Sequence, residues 1–136
     1  MDSVSLAGLR ILVVEDDGDT LELLRLLFEN EGAQVRTASS VAEALTAYDQ
    51  SRPDVLVADI GMPDYNGYTL IGRVRARDRE KGTIVPAIAL TAYVTAVDRD
   101  TVLSAGFQLH VAKPFDPAYL VSVIADLAAQ YHQHQR

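Results

Sequence analysis

The sequence predicts an α/β domain built on a parallel sheet, and two observations carry that expectation. Short apolar runs alternate five times with stretches of helical periodicity. Three of the runs are nearly continuous in apolar character, as strands covered on both faces should be. The length of 136 residues, 49% hydrophobic and 23% charged, fits one globular domain with a real core.

The first run, Leu9 to Val14, leads to a helix from about Asp19 to Asn30, with Leu23, Leu24, Leu27 and Phe28 inward and Gly32 as its stop. The second run, Ala33 to Thr37, precedes a capping box of Ser40 and Glu43; Val41, Ala44, Leu45 and Tyr48 then recur at the spacing of one buried helical face. After the third run, Val55 to Ala58, Gly67 opens a helix carrying Leu70, Ile71 and Val74. The fourth run, Pro86 to Leu90, is followed by a helix over Thr95 to Ala105 whose apolar stripe is thin, which predicts loose packing. The fifth, Phe107 to Ala112, is followed by a helix capped by Asp116, begun by Pro117, and buried through Leu120, Val123, Ile124 and Leu127. The domain is expected over 8–130, with 1–7 and 131–136 frayed.

Composition narrows the function classes. The absence of cysteine excludes disulfides, thiolate metal sites and a cysteine nucleophile. No apolar run approaches the roughly 20 residues of a membrane span, and "MDSVSLAG" lacks the basic start of a signal peptide. A cytoplasmic protein without membrane insertion is expected. The net charge of -7 disfavours direct contact with nucleic acid and favours cationic partners, metal ions included. Arg73, Arg75, Arg77 and Arg79 read as a solvated face and loop, and His132 and His134 as tail residues without a metal.

In an open parallel sheet, ligands bind outside the carboxyl ends of the strands. There the sequence places Glu15, Asp16 and Asp17 after the first run, Asp59 after the third, Thr91 after the fourth and Lys113 after the fifth. Gathered carboxylates repel unless a cation offsets them, and Mg²⁺ takes one or two carboxylates while keeping several waters. Asp59, on a rigid strand end beside such a metal, is a candidate nucleophile toward a phosphoryl group. Thr91 and Lys113 are candidate partners for the phosphoryl oxygens.

The segments "ILVVEDD", "DIGMPDYNG", "ALTAY" and "KPF", in that order, resemble the receiver domain of two-component response regulators, over about residues 8 to 130. The resemblance implies a flavodoxin-like sheet of five parallel strands, order 2-1-3-4-5, flanked by five helices. It implies that Asp59 is the phosphoacceptor, that Asp16, Asp59 and the backbone carbonyl of Gly61 bind Mg²⁺, and that Glu15 acts through water. It also implies a histidine kinase or phosphotransfer domain as phosphodonor, a downstream protein target for the face of helix four, strand five and helix five, and a cis Lys113-Pro114 bond. "LAGLRILVVEDD" and "GFQLHVAKP" most resemble receivers attached to hybrid histidine kinases. Such a domain catalyses only its own phosphorylation and dephosphorylation.

His110 departs from the family pattern, standing where many receivers carry the Tyr or Phe that works with the threonine as a switch. Tyr93 lies where it could shield an acyl phosphate from water. Two alternatives stand beside the receiver reading. "DGDTL" is a near miss to the motif of haloacid-dehalogenase-like phosphatases, which would make Asp17 the nucleophile. The other is a receiver-like binding module that works without phosphorylation.

Overall fold

The computed structural model describes residues 5–60, 67–92 and 96–134. Strands β1 (Arg10–Val14), β2 (Gln34–Ala38), β3 (Val55–Asp59), β4 (Ala87–Thr91) and β5 (Leu109–Ala112) form one parallel sheet in the order β2-β1-β3-β4-β5. They are joined by α1 (Gly18–Asn30), α2 (Val41–Gln50), α3 (Gly67–Lys81), α4 (Ala96–Ala105) and α5 (Pro117–His134). The expected fold and strand order are both present. No helix among the described residues is long and apolar enough to cross a membrane.

Side-chain alternation along the strands divides the core into two layers. Leu12, Val14, Leu56, Ala58, Ala87 and Ala89 pack against α2, α3 and α4. Ile11, Val13, Val55, Val57, Ile88, Leu90 and Val111 pack against α1 and α5. Covering both faces is what makes β1, β3 and β4 read as unbroken apolar runs.

The helix ends follow local chemistry. Asp17 caps α1 by accepting from the Thr20 N–H at 3.0 Å, and α1 closes with Gly32 N–H on the Glu29 carbonyl and Ala33 N–H on that of Phe28. This paired closure needs a left-handed residue, and Gly32 has φ +99°. Ser40 caps α2 through the Glu43 N–H at 3.1 Å, whereas the Glu43 carboxylate reaches Ser39 instead of closing the box on Ser40.

The structure corrects several expectations. Leu23 is 59% exposed; the buried face of α1 is set by Leu24 and Phe28, because a run as leucine-rich as "LELLRLLF" offers more than one apolar phase. Outside the corrected expectations, Leu6 is fully buried with its N–H on the Glu31 carbonyl, and α5 runs to His134. All four arginines from 73 to 79 lie within α3, and Arg75 is largely buried in an ion pair with Asp78, whereas Arg77 pairs with Asp49 on the solvated surface. The side chains of His132 and His134 lie outside those described.

Candidate functional site

Register brings the candidate residues together. Val14 pairs with Ala58 and Thr91 with Ala112, so Glu15 follows β1 beside Asp59, and Lys113 follows β5 with its N–H on the Thr91 carbonyl at 2.8 Å. Alternation then sends Glu15, Asp59 and Lys113 toward the α1/α5 side of the sheet and Thr91 toward the α2–α4 side. Glu15, Asp59 and Thr91 are each no more than 2% exposed, an unusual depth for two carboxylates in one place.

Lys113 answers that charge. Its ammonium forms an ion pair with Asp59 Oδ2 and stands 3.8 Å from Glu15 Oε1, while its own side chain stays 26% exposed. The ammonium sits against Asp59 and farther from Glu15, so Glu15 bears more of the crowding between the two carboxylates. Burial first, then the hydrogen bond with Asp59 and the Asp59 charge, push the Glu15 carboxyl up to about 8, with Lys113 opposing.

Two buried oxygens, Glu15 Oε2 and Asp16 Oδ1, have no hydrogen-bond partner among the described residues. Orphaned carboxylate oxygens are costly and are the donors a small hard cation accepts. Among the described residues no group of three or more Asp, Glu, His or Cys side chains encloses a metal. Mg²⁺ needs only one or two carboxylates and keeps its waters, a requirement that the orphaned oxygens of Glu15 and Asp16 beside Asp59 can serve. The donor set fits.

Asp17, by contrast, does not join the group. It is exposed, and its carboxylate accepts from both the N–H and the hydroxyl of Thr20, bonds that hold it below the usual carboxylate range. An aspartate occupied as a helix cap is a poor nucleophile, which removes the structural basis for the phosphatase alternative.

His110 is half-buried on β5, paired with Ala89, and alternation places it on the same sheet side as Thr91. The Lys113-Pro114 peptide is cis. Gly61 and Tyr93 lie outside the described residues, as do Met62, Pro63 and Asn66. Gly67 positions the site from behind: a Cβ there would come within 2.4 Å of Ile60 Cγ2, so only glycine lets α3 start this close to the residue after Asp59.

Sequence reasoning missed one polar assembly. Asp78, 2% exposed, accepts from the Tyr48 hydroxyl, from Arg75 and from the Val85 N–H, and pairs with Arg52 at 3.0 Å. A signal was present: Asp78 continues the buried phase of Ile71 and Val74 at i+7 and i+4, where a charged residue needs partners.

Comparison with known proteins agrees with this fold. The family model described as the response regulator receiver domain matches residues 11–125. A 14.6 kDa protein of Leptolyngbya boryana, from the sodA1 3′ region, is 46% identical over 120 residues, covering 88% of this chain and 90% of that protein. The transcriptional regulatory protein PrrA of Mycobacterium tuberculosis is 38% identical over 118 residues, and the chain spans 49% of its length. Hybrid signal transduction histidine kinase D of Dictyostelium discoideum is 32% identical over 133 residues, 9% of that kinase. Among solved structures, the receiver domain of the Francisella response regulator 1452 superposes with a TM-score of 0.81 at 25% identity, covering 90% of this chain and 98% of that one.

Proposed function

Since this chain belongs to the response regulator receiver family, the phosphoacceptor signalling domains of two-component systems, we propose that Asp59 is the residue it phosphorylates. The observation that carries the assignment is the buried Asp59 carboxylate paired with Lys113 at the carboxyl edge of the sheet, with Glu15 beside it.

An Asp59 oxygen attacks the phosphorus of a phosphohistidine on a histidine kinase or phosphotransfer domain. The P–N bond breaks, its electron pair returns to the imidazole, and an acyl phosphate forms on Asp59. Lys113 exchanges its carboxylate partner for one phosphoryl oxygen, and the Thr91 hydroxyl donates to another. Asp16 and Asp59 would hold Mg²⁺ directly, with Glu15 acting through water and the Gly61 carbonyl completing the set. When bound, the ion neutralises charge on the phosphoryl oxygens.

The chain acts on itself alone, gaining the phosphoryl group and losing it to water. Thr91 and His110, on one side of the sheet, pass the change to the face of α4, β5 and α5, which meets a downstream protein target in the cytoplasm; the net charge of -7 disfavours nucleic acid as that target. Intact mass after incubation with acetyl phosphate and Mg²⁺ tests this: one phosphoryl group is expected, absent with EDTA. No adduct from acetyl phosphate or from a phosphorylated kinase contradicts the reading.

A further inference from the structure

The edge of the sheet opposite Asp59 holds a cleft that phosphoryl chemistry leaves unused. Its volume is about 170 Å³, and its lining includes Arg10, Arg52, Pro53, Asp54, Ile84 and Tyr131. Asp54 precedes β3 and Asp59 ends it, so the length of that strand, about 16 Å, separates the cleft from the phosphoacceptor.

Arg52 comes to this cleft already held. Its Nη2 donates to the carbonyl and the hydroxyl of Thr83, each at 2.7 Å, and stands 3.0 Å from Asp78 Oδ1, while the guanidinium lies 5.7 Å from the centroid of the Tyr48 ring. Its Nε and Nη1 have no hydrogen-bond partner among the described residues. A guanidinium fixed at one nitrogen, with donors to spare at the others, is preorganised for an anion, since little side-chain freedom remains to be lost on binding.

Arg10 faces the same space more loosely. Its side chain is 52% exposed, with Nε 4.0 Å from Asp54 Oδ2 and Nη1 3.5 Å from the Ser51 hydroxyl. That Asp54 oxygen is also occupied by the Arg10 backbone N–H at 2.8 Å. Behind the cleft, Asp78 is shared between Arg52 and Arg75. The guanidiniums of Arg10, Arg52 and Arg75 thus stand against the carboxylates of Asp54 and Asp78, which leaves one positive charge over in a chain of net charge -7.

The wall beside these charges is apolar. Ile84 is 47% exposed, and Pro53 and Tyr131 line the cleft with it. A benzene ring occupies a void of about 150 Å³, so a body of that size has room here. Guanidinium donors match the oxygens of a carboxylate, and one surplus charge matches a monoanion, because Asp54 repels a second negative charge.

We propose that this amino edge is a second ligand site, which takes a small monocarboxylate with its charged head on Arg10 and Arg52 and its compact apolar body on Ile84. The site asks nothing of Asp59, so it stands apart from the phosphoacceptor assignment.

Benzoate is the probe, titrated into the isotope-labelled full chain at low salt and followed by amide chemical shifts. Saturable shifts are expected at Arg10, Asp54, Ile84 and Val85, without comparable shifts at Glu15, Asp59 or Lys113. Benzyl alcohol, which has the body without the charge, acetate, which has the charge without the body, and inorganic phosphate each bind about tenfold or more weakly than benzoate. Arg10→Met weakens benzoate about tenfold, the range for one charged donor, and leaves the Asp78 pairs in place. Ile84→Ser, at an exposed position, weakens it severalfold and serves if Arg10→Met does not fold. Shifts that do not saturate, that centre on the acidic edge, that benzyl alcohol or phosphate reproduces at the same concentration, or that persist unchanged in a folded variant overturn the proposal.

Discussion

Lys113, entering from the end of β5, is the cation that faces the buried carboxylate of Asp59 at the end of β3, and it stands 3.8 Å from Glu15 as well. Its position follows from register, since the Lys113 N–H is the next backbone bond after the Thr91–Ala112 pair. Lys113→Met is expected to slow phosphoryl uptake from acetyl phosphate on the order of a hundredfold, the usual cost of losing one charge-stabilising group. Time-resolved intact mass measures the rate; an unchanged rate removes Lys113 from the chemistry.

Asp16 and Asp17 are neighbours in sequence with separable roles. Asp17→Ala removes the α1 cap and is expected to cost about 1 kcal/mol in urea unfolding, with phosphoryl uptake preserved. Asp16→Asn is expected to do the reverse, weakening Mg²⁺ binding by calorimetry about tenfold or more at little cost in stability. Loss of uptake in Asp17→Ala alone would contradict the assignment.

Glu15 makes stability depend on pH. Its folded-state pKa is raised to about 8 from 4.5, so between these values the folded protein holds a proton that the unfolded chain has released. Stability contributed below 4.5 is therefore lost as pH rises through 8. Glu15→Gln removes this dependence without removing the side chain. In Mg²⁺-free buffer its melting temperature relative to wild type is expected to climb from pH 5 to pH 8 and level off above, which differential scanning calorimetry at matched pH values resolves. A difference that stays constant with pH refutes the argument.

Gly67→Ala forces a methyl group into Ile60, next to Asp59. A loss of about 1–3 kcal/mol in urea unfolding is expected from the overpacking, accompanied by slower phosphoryl uptake. Gly72→Ala, where nothing lies within 4 Å of an added Cβ, is the control and should be neutral or stabilising.

The sheet and its acidic edge were legible because their signals are local. Unbroken apolar runs marked β1, β3 and β4, and Glu15, Asp59, Thr91 and Lys113 each followed a run directly. The inward face of α1 was only partly legible, since Leu23 and Leu24 are equally apolar and packing alone decides between them. The Asp78 assembly was illegible for a different reason. Tyr48 and Arg75 come from α2 and α3 and Arg52 and Val85 from the connections before β3 and β4, and arginines read as solvated until the fold supplies a buried carboxylate.

The central claim is that Asp59 carries the phosphoryl group, and borohydride trapping followed by peptide mapping tests it most directly. Reduction converts an aspartyl phosphate to homoserine, which marks the acceptor in sequence. After acetyl phosphate and Mg²⁺, homoserine is expected at position 59 and nowhere else. Homoserine at position 16 or 17, with Asp59 unmarked, would contradict the account.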